Sequence, residues 1–334
     1  MAGEPEDRFH VADNDAYRQQ LEAEARFWDE PNVFPFVPAA PALQRYWNER
    51  FTGQPDRQWY ETIKDYGKFQ RGCVLGAGTG EFESLLLTEQ PSLHLTFYDI
   101  SAESLARTGS RLEQEFPSRT AIRQEDLNFV ELPADSHDLV VARSCVHHLV
   151  NLEHAAFQIN RTLTRDGFFF MYEPVCESYI QFSEEKKRLF QAFIDLIQAH
   201  NRIRSAPATW PSRDDWKYSP FECARSGEIL QVFRQYLQEV QVRTAAAMIQ
   251  PILFARSVPE NPFHARGPLW RGLGVLLMRL AVIRAKLLRE KTDLFDGRDK
   301  PIGDFLVALD RVVTDTGYLQ PGMAFAVYRK RRIG

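Results

Sequence analysis

One stretch, Cys73-Val74-Leu75-Gly76-Ala77-Gly78-Thr79-Gly80, decides the fold, because in it a short apolar run meets three glycines at alternate positions. An apolar-periodic segment over residues 81–87 follows, so the pattern predicts a strand, a tight turn and the start of a helix. Glycines let such a turn pass close to a ligand, and the helix N-terminus behind it attracts negative charge. The stretch therefore predicts a site for a ligand that carries a carboxylate or a phosphate.

The spacing of the glycines limits which class of ligand the turn could bind. The dinucleotide fingerprint G-x-G-x-x-G needs a third glycine where this chain has Glu81. The pattern is G-x-G-x-G, which argues against a nicotinamide dinucleotide. A glycine-rich turn without any ligand remains the plain structural interpretation of the motif alone.

Strands and helices alternate around this turn. Apolar runs and helical periodicity predict strands over 72–75, 94–99, 121–123, 138–142 and 168–172, with helices over 81–89, 102–115 and 151–163. Such alternation implies right-handed crossovers and an α/β fold with a doubly wound, Rossmann-like parallel sheet. Ligands of these sheets bind beyond the carboxyl ends of the strands, where the polar segments of this chain fall.

Composition excludes several classes of protein. The 334 residues have a formal net charge of −4, which leaves no basic footprint for nucleic acid. The four cysteines form neither a C-x-x-C pair nor a zinc-binding spacing, so no metal site is predicted and reduced, cytosolic thiols are expected. The N-terminus shows no signal-peptide pattern and no segment has about 18 uncharged apolar residues, so we expect a cytoplasmic protein without a transmembrane segment.

Two acids follow predicted strands at informative positions. Asp99 lies 23 positions after Gly76 and could accept hydrogen bonds from two ribose hydroxyls, whether the cofactor is a nicotinamide or an adenosyl compound. Asp126 follows the third strand and could accept a hydrogen bond from an adenine amino group, with the Leu127 N–H near the ring. Each acid alone could be a helix cap or a loop residue. Together, in register, they favour a nucleoside ligand.

With these motifs the chain resembles a class I S-adenosylmethionine-dependent methyltransferase over roughly residues 70–175. The resemblance rests on the glycine loop, Asp99, Asp126-Leu127 and the segments 138–141, 146–149, 159–167 and 170–174. It implies a seven-stranded sheet whose last strands, 239–243 and 323–329, form an antiparallel pair. The chain is also loosely similar to a subgroup of these methyltransferases that is associated with glycan or polysaccharide pathways, at residues 46–53, 220–222, 225–230 and 317–321.

The resemblance also implies a cofactor and its contacts. S-adenosyl-L-methionine would be bound and S-adenosyl-L-homocysteine released. The loop residues Gly76, Ala77 and Gly78 would lie under the methionine and ribose parts of the cofactor, and Asp99 with Ile100 would lie at the ribose. Asp126 and Leu127 would contact the adenine, and backbone at Arg143 and Ser144 would face the sulfonium.

One position departs from the family pattern. The family usually has an acid two residues before the first glycine, and this chain has Val74. The methionine ammonium would thus lose an acidic neighbour. Glu83, on the first turn of the following helix, is our hypothesis for its replacement.

Catalysis needs few side chains, because alignment of nucleophile, methyl and sulfur lowers the barrier. A base is useful only when the acceptor atom carries a proton. His147 and His148 are the predicted catalytic residues, with Tyr172 and Glu173 also at the sheet edge. Histidine titrates in the useful range, and we favour His147 of the two. A structural cap or core contact is the alternative for this pair.

The remaining segments suggest a domain organisation. We expect a helical N-terminal cap or lid over 1–66, a cofactor-binding core over 67–180, further core elements with an aromatic lid over 181–244, a helical insertion over 245–322, and a last strand over 323–334. Residues 269–289 of the insertion are apolar with interspersed arginines and lysine. Such a helix could contact a membrane surface, although packing on the domain with outward arginines is favoured.

The predicted function is methyl transfer to a small or medium acceptor at a hydroxyl oxygen, with sugar, glycan-related and natural-product acceptors included. Aromatic segments 33–59 and 209–218 would close over the acceptor. The alternative is a binding protein or pseudoenzyme that holds the nucleoside without turnover, which Val74 mildly supports. A nicotinamide oxidoreductase is disfavoured by Glu81. The sequence leaves the oligomeric state open.

Overall fold

The computed structural model describes residues 9–29, 41–78, 80–200 (197–200 as backbone), 210–214, 216, 218–250 and 300–331. Predictions for Thr79, for most of the proline-rich segment 31–41, for residue 209 and for residues 251–299 lie outside this range. The proposed membrane-contacting helix 269–289 is therefore among the predictions that the structure does not address. Within the described residues, the structure contains no helix with the length and apolarity that crossing a membrane requires.

A seven-stranded sheet forms the centre of the fold. Its spatial order is β3-β2-β1-β4-β5-β7-β6, and β7 runs antiparallel to both of its neighbours. The predicted Rossmann-like sheet with a final antiparallel pair is thus confirmed. The strands are β1 Arg71–Leu75, β2 His94–Asp99, β3 Thr120–Gln124, β4 His137–Arg143, β5 Leu163–Pro174, β6 Gln238–Ala245 and β7 Met323–Arg329.

Helices flank the sheet on both sides. Among the described residues they are α1 Asp15–Asp29, α2 Pro41–Thr52, α3 Glu81–Glu89, α4 Ala102–Glu115, α5 Leu152–Thr162, α6 Glu184–His200, α7 Ile229–Tyr236 and α8 Lys300–Asp315. Short 3₁₀ turns lie at Trp59–Tyr66, Val146–His148, Ser178–Ile180 and Ser226–Glu228. The bounds of α3 and α4 agree with the periodicity of the sequence.

The segment before β1 is a 3₁₀ helix, Trp59–Tyr66, where periodicity suggested an α-helix. Its buried residues Trp59 and Thr62 are three positions apart, the spacing that a 3₁₀ turn places on one side. A capping box between Gln58 and Glu61 fixes its start.

Both faces of the sheet are buried, as a doubly wound sheet requires. Alternate residues of neighbouring strands pack into two separate core clusters. Val74, Val141 and Phe170 belong to one cluster, and Leu75 and Val140 belong to the other. All five side chains are at most 2% exposed, so the central strands are held by apolar contacts on both sides.

Helix α1 crosses the carboxyl edge of the sheet. The Tyr17 hydroxyl donates a 2.6 Å hydrogen bond to Asp126 after β3, and the Ser101 hydroxyl after β2 donates a 2.7 Å hydrogen bond to Asp29. The described part of the N-terminal segment therefore contacts the edge where ligands of this fold bind, and its role as a cap or lid stays a prediction.

Candidate functional site

The glycine loop joins β1 to α3 with three left-handed residues. Gly76, Gly78 and Gly80 have φ values of +84°, +49° and +68°. A Cβ on Gly76 would lie 2.8 Å from Cβ of Cys145, and one on Gly80 would lie 2.7 Å from Cγ2 of Thr108. A Cβ on Gly78 would meet nothing within 4 Å. The outer glycines thus permit close packing, whereas Gly78 faces open space at the ligand edge.

Asp99 connects this loop to the end of β2. Its Oδ2 accepts a 2.7 Å hydrogen bond from the Ala77 amide, and its Oδ1 accepts a 2.8 Å bond from the Ser101 amide. Burial raises the pKa of Asp99, while these amides favour the ionised form. The structure therefore brings Gly76, Ala77 and Asp99 together. Ile100 follows in the same turn and is half-buried.

Asp126 and Leu127 lie at the end of β3 but differ in exposure. Leu127 is 6% exposed and packs in the core. Asp126 is half-buried, and its Oδ1 accepts hydrogen bonds from the backbone and side chain of Asn128 at 2.9 and 3.1 Å. Its Oδ2 accepts the Tyr17 hydroxyl. A ligand amino group would share Oδ2 with that hydroxyl.

Glu83 lies on the first turn of α3 and is 5% exposed. Burial raises its pKa to about 7, partly opposed by its own backbone amide and by the charges of Arg143 and Arg111. Among the described residues no arginine or lysine forms an ion pair with it. Val74 is buried in the core. Glu83 is therefore a buried carboxyl without a partner cation among the described residues, on the helix turn that follows the loop.

Arg143 and Ser144 end β4 at the same edge. Ser144 has a φ of +50°, and its amide donates a 3.0 Å hydrogen bond to the carbonyl of Tyr172. The charge of the exposed Arg143 guanidinium opposes the rise that burial causes in the pKa of Glu83, Tyr60 and Tyr172.

An aromatic wall borders the loop. The Trp59 ring stacks on Tyr172 with centroids 5.3 Å apart and an interplanar angle of 6°. The ring centroid of Phe82, the second residue of α3, lies 5.0 Å from that of Trp59 and 5.4 Å from that of Tyr60. Burial raises the pKa of Tyr172 to about 12, so its hydroxyl is protonated at neutral pH. Trp59 is the described end of the segment 33–59, whose role as a lid over the acceptor stays a prediction.

The two predicted catalytic histidines are adjacent in the 3₁₀ turn after β4. Their rings have centroids 4.0 Å apart. Nδ1 of His147 lies 2.8 Å from Oε2 of Glu173 at the end of β5, and Nδ1 of His148 lies 3.0 Å from Oε1 of Glu24 on α1. Each imidazole is therefore oriented by a buried carboxylate.

A third carboxylate, Glu222, faces both rings. Its Oε1 lies 3.6 Å from Nε2 of His147, and its Oε2 lies 3.8 Å from Nε2 of His148. Both distances exceed the length of a hydrogen bond. Nε2 of His148 is buried and has no hydrogen-bond partner among the described residues. We call His147, His148, Glu24, Glu173 and Glu222 the His–Glu cluster.

The cluster has a strongly negative field. Burial lowers the pKa of His147, but its hydrogen bond with Glu173 and the charges of Glu173 and Glu222 together outweigh burial and raise the value to about 10. Burial raises the pKa of Glu222, but His147 and His148 outweigh it and lower the value to about 2. Burial also raises the pKa of Glu24, but its contacts with His148, Phe221 and Trp28 together outweigh burial and lower the value. The arrangement favours ionised carboxylates that hold a positive charge between them.

Sequence reasoning did not find Glu24 or the role of Glu222. Glu24 is 1% exposed and lies on the same face of α1 as Tyr17 and Trp28, at helical spacings of seven and four residues. An acid on the apolar face of a helix was the available signal. Glu222 follows an irregular segment, and no periodic pattern marks it.

The comparisons with known proteins agree with this geometry. Residues 74–169 match the sequence model of a family described as "Methyltransferase domain". This central part of the chain is therefore similar to the domain of class I methyltransferases. The matched residues run from β1 to the middle of β5 and include the glycine loop, Asp99, Asp126 and both cluster histidines. Proteins of this class use S-adenosylmethionine as their methyl donor.

The individual relatives are distant from this chain in sequence. A malonyl-[acyl-carrier protein] O-methyltransferase from Paenibacillus sp. (strain JDR-2) is 25% identical over 127 residues, which cover 34% of this chain and 46% of that protein. The chain thus spans less than half the length of this relative.

Solved structures with a similar fold have low sequence identity. Phosphoethanolamine N-methyltransferase 2 of Haemonchus contortus, in complex with phosphomonomethylethanolamine and S-adenosylhomocysteine, is 15% identical, with a TM-score of 0.46 over 92% of this chain and 61% of that chain. An O-methyltransferase from a trans-AT PKS multienzyme of Brevibacillus brevis, in complex with S-adenosyl-L-homocysteine, is 11% identical, with a TM-score of 0.45 over 81% of this chain and 70% of that chain.

Proposed function

We propose that this chain transfers a methyl group from S-adenosyl-L-methionine to an oxygen of a small or medium acceptor. The observation that carries the proposal is the convergence of the glycine loop, Asp99 and the His–Glu cluster at one edge of the sheet. Cys145 lies between the loop and the cluster. A Cβ on Gly76 would lie 2.8 Å from the Cβ of Cys145, and the Cys145 amide donates a 2.8 Å hydrogen bond to Glu173. A cofactor on the loop would therefore lie beside the cluster.

The residues at the loop fit an adenosyl cofactor. Gly78 leaves open space in a left-handed turn, Asp99 is anchored by two amides, and Glu83 has a buried carboxyl without a partner cation. We propose that Asp99 holds the ribose, Asp126 holds the adenine through Oδ2, and Glu83 takes the methionine ammonium in place of an acid at Val74. Gly76, Ala77, Ile100, Leu127, Arg143 and Ser144 complete the proposed contacts.

Activation of the acceptor is assigned to the His–Glu cluster. Bound S-adenosylmethionine supplies a methyl group on a positively charged sulfur, which becomes a neutral thioether when an acceptor oxygen takes the methyl. A hydroxyl acceptor must also lose its proton. His147 and His148 lie at the edge where that proton would leave, and Glu173 and Glu24 orient them. Because its pKa is raised to about 10, His147 is protonated at neutral pH and would act there through its positive charge rather than by accepting the proton. We therefore keep these histidines as the proposed catalytic residues.

The aromatic wall supports an acceptor with an apolar or ring-shaped face. The half-buried rings of Tyr60 and Tyr172 offer surface beside the loop, Trp59 is buried in contact with Tyr172, and Arg143 adds a positive charge near them. The name of the Paenibacillus relative reports methylation at oxygen, which agrees with an oxygen acceptor. Sugar, glycan-related and natural-product hydroxyls remain the proposed classes, and the cytoplasmic location and domain boundaries remain predictions.

A binding protein without turnover is the competing proposal, and buried Val74 is the observation that favours it. Calorimetry with S-adenosylhomocysteine and with NAD distinguishes both proposals from a nicotinamide enzyme. We expect the chain to bind S-adenosylhomocysteine and not to bind NAD. Turnover then decides. We expect S-adenosylhomocysteine to accumulate, by mass spectrometry, when S-adenosylmethionine is incubated with the protein and a panel of sugar, phenol and carboxylate acceptors. Binding without accumulation on any acceptor would favour the pseudoenzyme.

A further inference from the structure

We propose that His147, His148 and Glu222 bind one divalent first-row transition-metal ion such as Zn²⁺. The ligand atoms would be Nε2 of each histidine and the carboxylate of Glu222. The three side chains offer ligand atoms that all lie within 4.8 Å of one another. Two histidines and one carboxylate form a donor set that suits such metals and leaves coordination positions open.

The distances across the cluster fit an ion better than a hydrogen bond. Glu222 oxygens lie 3.6 Å and 3.8 Å from the two Nε2 atoms, whereas N–H···O bonds are about 2.7–3.2 Å long. Two ligands at roughly 2.1 Å from one ion are about 3.4 Å apart at a tetrahedral angle. The gap therefore has nearly the size that a shared ion needs. Nε2 of His148 is moreover buried without a hydrogen-bond partner among the described residues.

The other nitrogen of each ring is already fixed. His147 Nδ1 is 2.8 Å from Glu173, and His148 Nδ1 is 3.0 Å from Glu24. When Nδ1 donates its proton to a carboxylate, the Nε2 lone pair is free for a metal. This carboxylate–histidine arrangement is the usual second shell of a metal-binding histidine. It occurs here as a hydrogen bond on His147, whereas Nδ1 of His148 lies 3.0 Å from Glu24 and 3.4 Å from the Ser219 hydroxyl.

The charge of the cluster also calls for a cation. The side chains of Glu173, Glu24 and Glu222 are 0%, 2% and 9% exposed. Isolated buried carboxylates are unfavourable unless they are compensated. In the described parts of the chain, no lysine or arginine forms an ion pair with any of the three. A divalent ion would replace the positive charge that protonated His147 otherwise supplies, leave both imidazoles neutral and offset two of the three negative charges.

The role of the ion rests on the proposed methyl transfer, although its binding does not. An acceptor hydroxyl at an open coordination position would lose its proton to solvent more readily. A bound metal can lower the pKa of water from about 15.7 to about 7. The acceptor would then be an oxygen nucleophile held beside the cofactor loop.

The test is direct metal binding to the full chain. Protein treated with EDTA and desalted is titrated with Zn²⁺ by calorimetry and with Co²⁺ by visible absorption. We expect one equivalent at micromolar affinity or tighter, with d–d bands of a low-coordinate Co²⁺ site. Glu222→Gln and His148→Asn should abolish it, and Glu24→Gln should weaken it by roughly 10–100-fold. His94→Gln, which removes an exposed histidine at the start of β2, is the matched control and should bind normally.

S-adenosylhomocysteine binding by each variant serves as the check on folding. The inference is overturned if the wild-type chain takes up no stoichiometric metal, or if Glu222→Gln binds as well as His94→Gln. Methyl transfer that continues in EDTA, together with absent metal binding, would overturn the metal site and leave the proposed function intact. Stoichiometric metal without transfer to any acceptor would uphold the site and count against the function.

Discussion

The hydroxyl of Tyr17 donates a 2.6 Å hydrogen bond to Oδ2 of Asp126 and so ties α1 to the carboxyl end of β3. The Tyr17 ring also stacks on Phe221, with centroids 5.7 Å apart, directly before Glu222. One buried side chain therefore joins the helix that carries Glu24, the proposed adenine end of the cofactor site and the segment that carries Glu222.

Replacing Tyr17 by phenylalanine should destabilise the protein without creating a cavity. Hydrogen bonds to charged groups contribute about 1.5–3 kcal/mol, so we expect Tyr17→Phe to lose a similar free energy of unfolding. Urea denaturation measures this value. Tyr318→Phe is the control, because Tyr318 is 62% exposed. Equal stability of the two variants would show that the Tyr17–Asp126 bond contributes nothing.

Asp99→Asn tests the link between the loop and β2. The amide group can accept only through its oxygen, so its NH₂ would face the amide of Ala77 or of Ser101 and one hydrogen bond would be lost. With about 1.5–3 kcal/mol per charged hydrogen bond, S-adenosylhomocysteine affinity should fall by roughly 10–100-fold in calorimetry. Asp166→Asn, an exposed acid of β5, is the control. Unchanged affinity in Asp99→Asn would remove Asp99 from the proposed site.

The loop glycines should separate packing from ligand contact. A non-glycine residue in the left-handed conformation costs about 1–2 kcal/mol, so both Gly76→Ala and Gly78→Ala should lower the free energy of unfolding by that amount. Gly76→Ala should lose more, because its Cβ would lie 2.8 Å from Cβ of Cys145. Gly78→Ala places its Cβ in open space and should chiefly weaken S-adenosylhomocysteine binding. Urea denaturation and calorimetry on both variants check this order, and a reversed order would contradict the packing described here.

The sheet edge could be predicted from the sequence because local patterns define it. Apolar runs located the strands, parallel topology places their carboxyl ends together, and the positions of Gly76, Asp99 and Asp126 then followed. Their convergence needs no knowledge of side-chain partners. The antiparallel placement of β7 followed from the family resemblance and is confirmed.

The partners of the histidines could not be predicted in this way. Glu24, Glu173 and Glu222 come from α1, from β5 and from an irregular segment, and only tertiary packing brings them together. Ser226 shows the same limit. A serine at this position resembles an N-cap, yet its buried hydroxyl has no hydrogen-bond partner in the described parts of the chain, since the chain enters α7 through a 3₁₀ turn instead.

Glu83 gives the proposed cofactor site a pH dependence with a definite sign. Burial raises its folded pKa to about 7, above the ordinary 4.5, so the protonated form is favoured in the free protein. A carboxyl of this kind contributes stability below its unfolded pKa, and the contribution is lost as the pH rises through about 7. A bound ammonium group would favour the ionised form. Below pH 7 the carboxyl must therefore release a proton when the cofactor binds.

We accordingly expect S-adenosylhomocysteine affinity to rise with pH up to about 7 and then to level off, with at most a tenfold change per pH unit on the acidic side. Calorimetry from pH 5.5 to 8.5 measures the profile, and buffers of different ionisation enthalpy report the released proton. Glu83→Gln should bind more weakly above pH 7 and lose this part of the profile. Glu81→Gln, an exposed neighbour on the same helix turn, should keep it. If Glu83→Gln and the wild-type chain gave the same profile, the ammonium would have another partner.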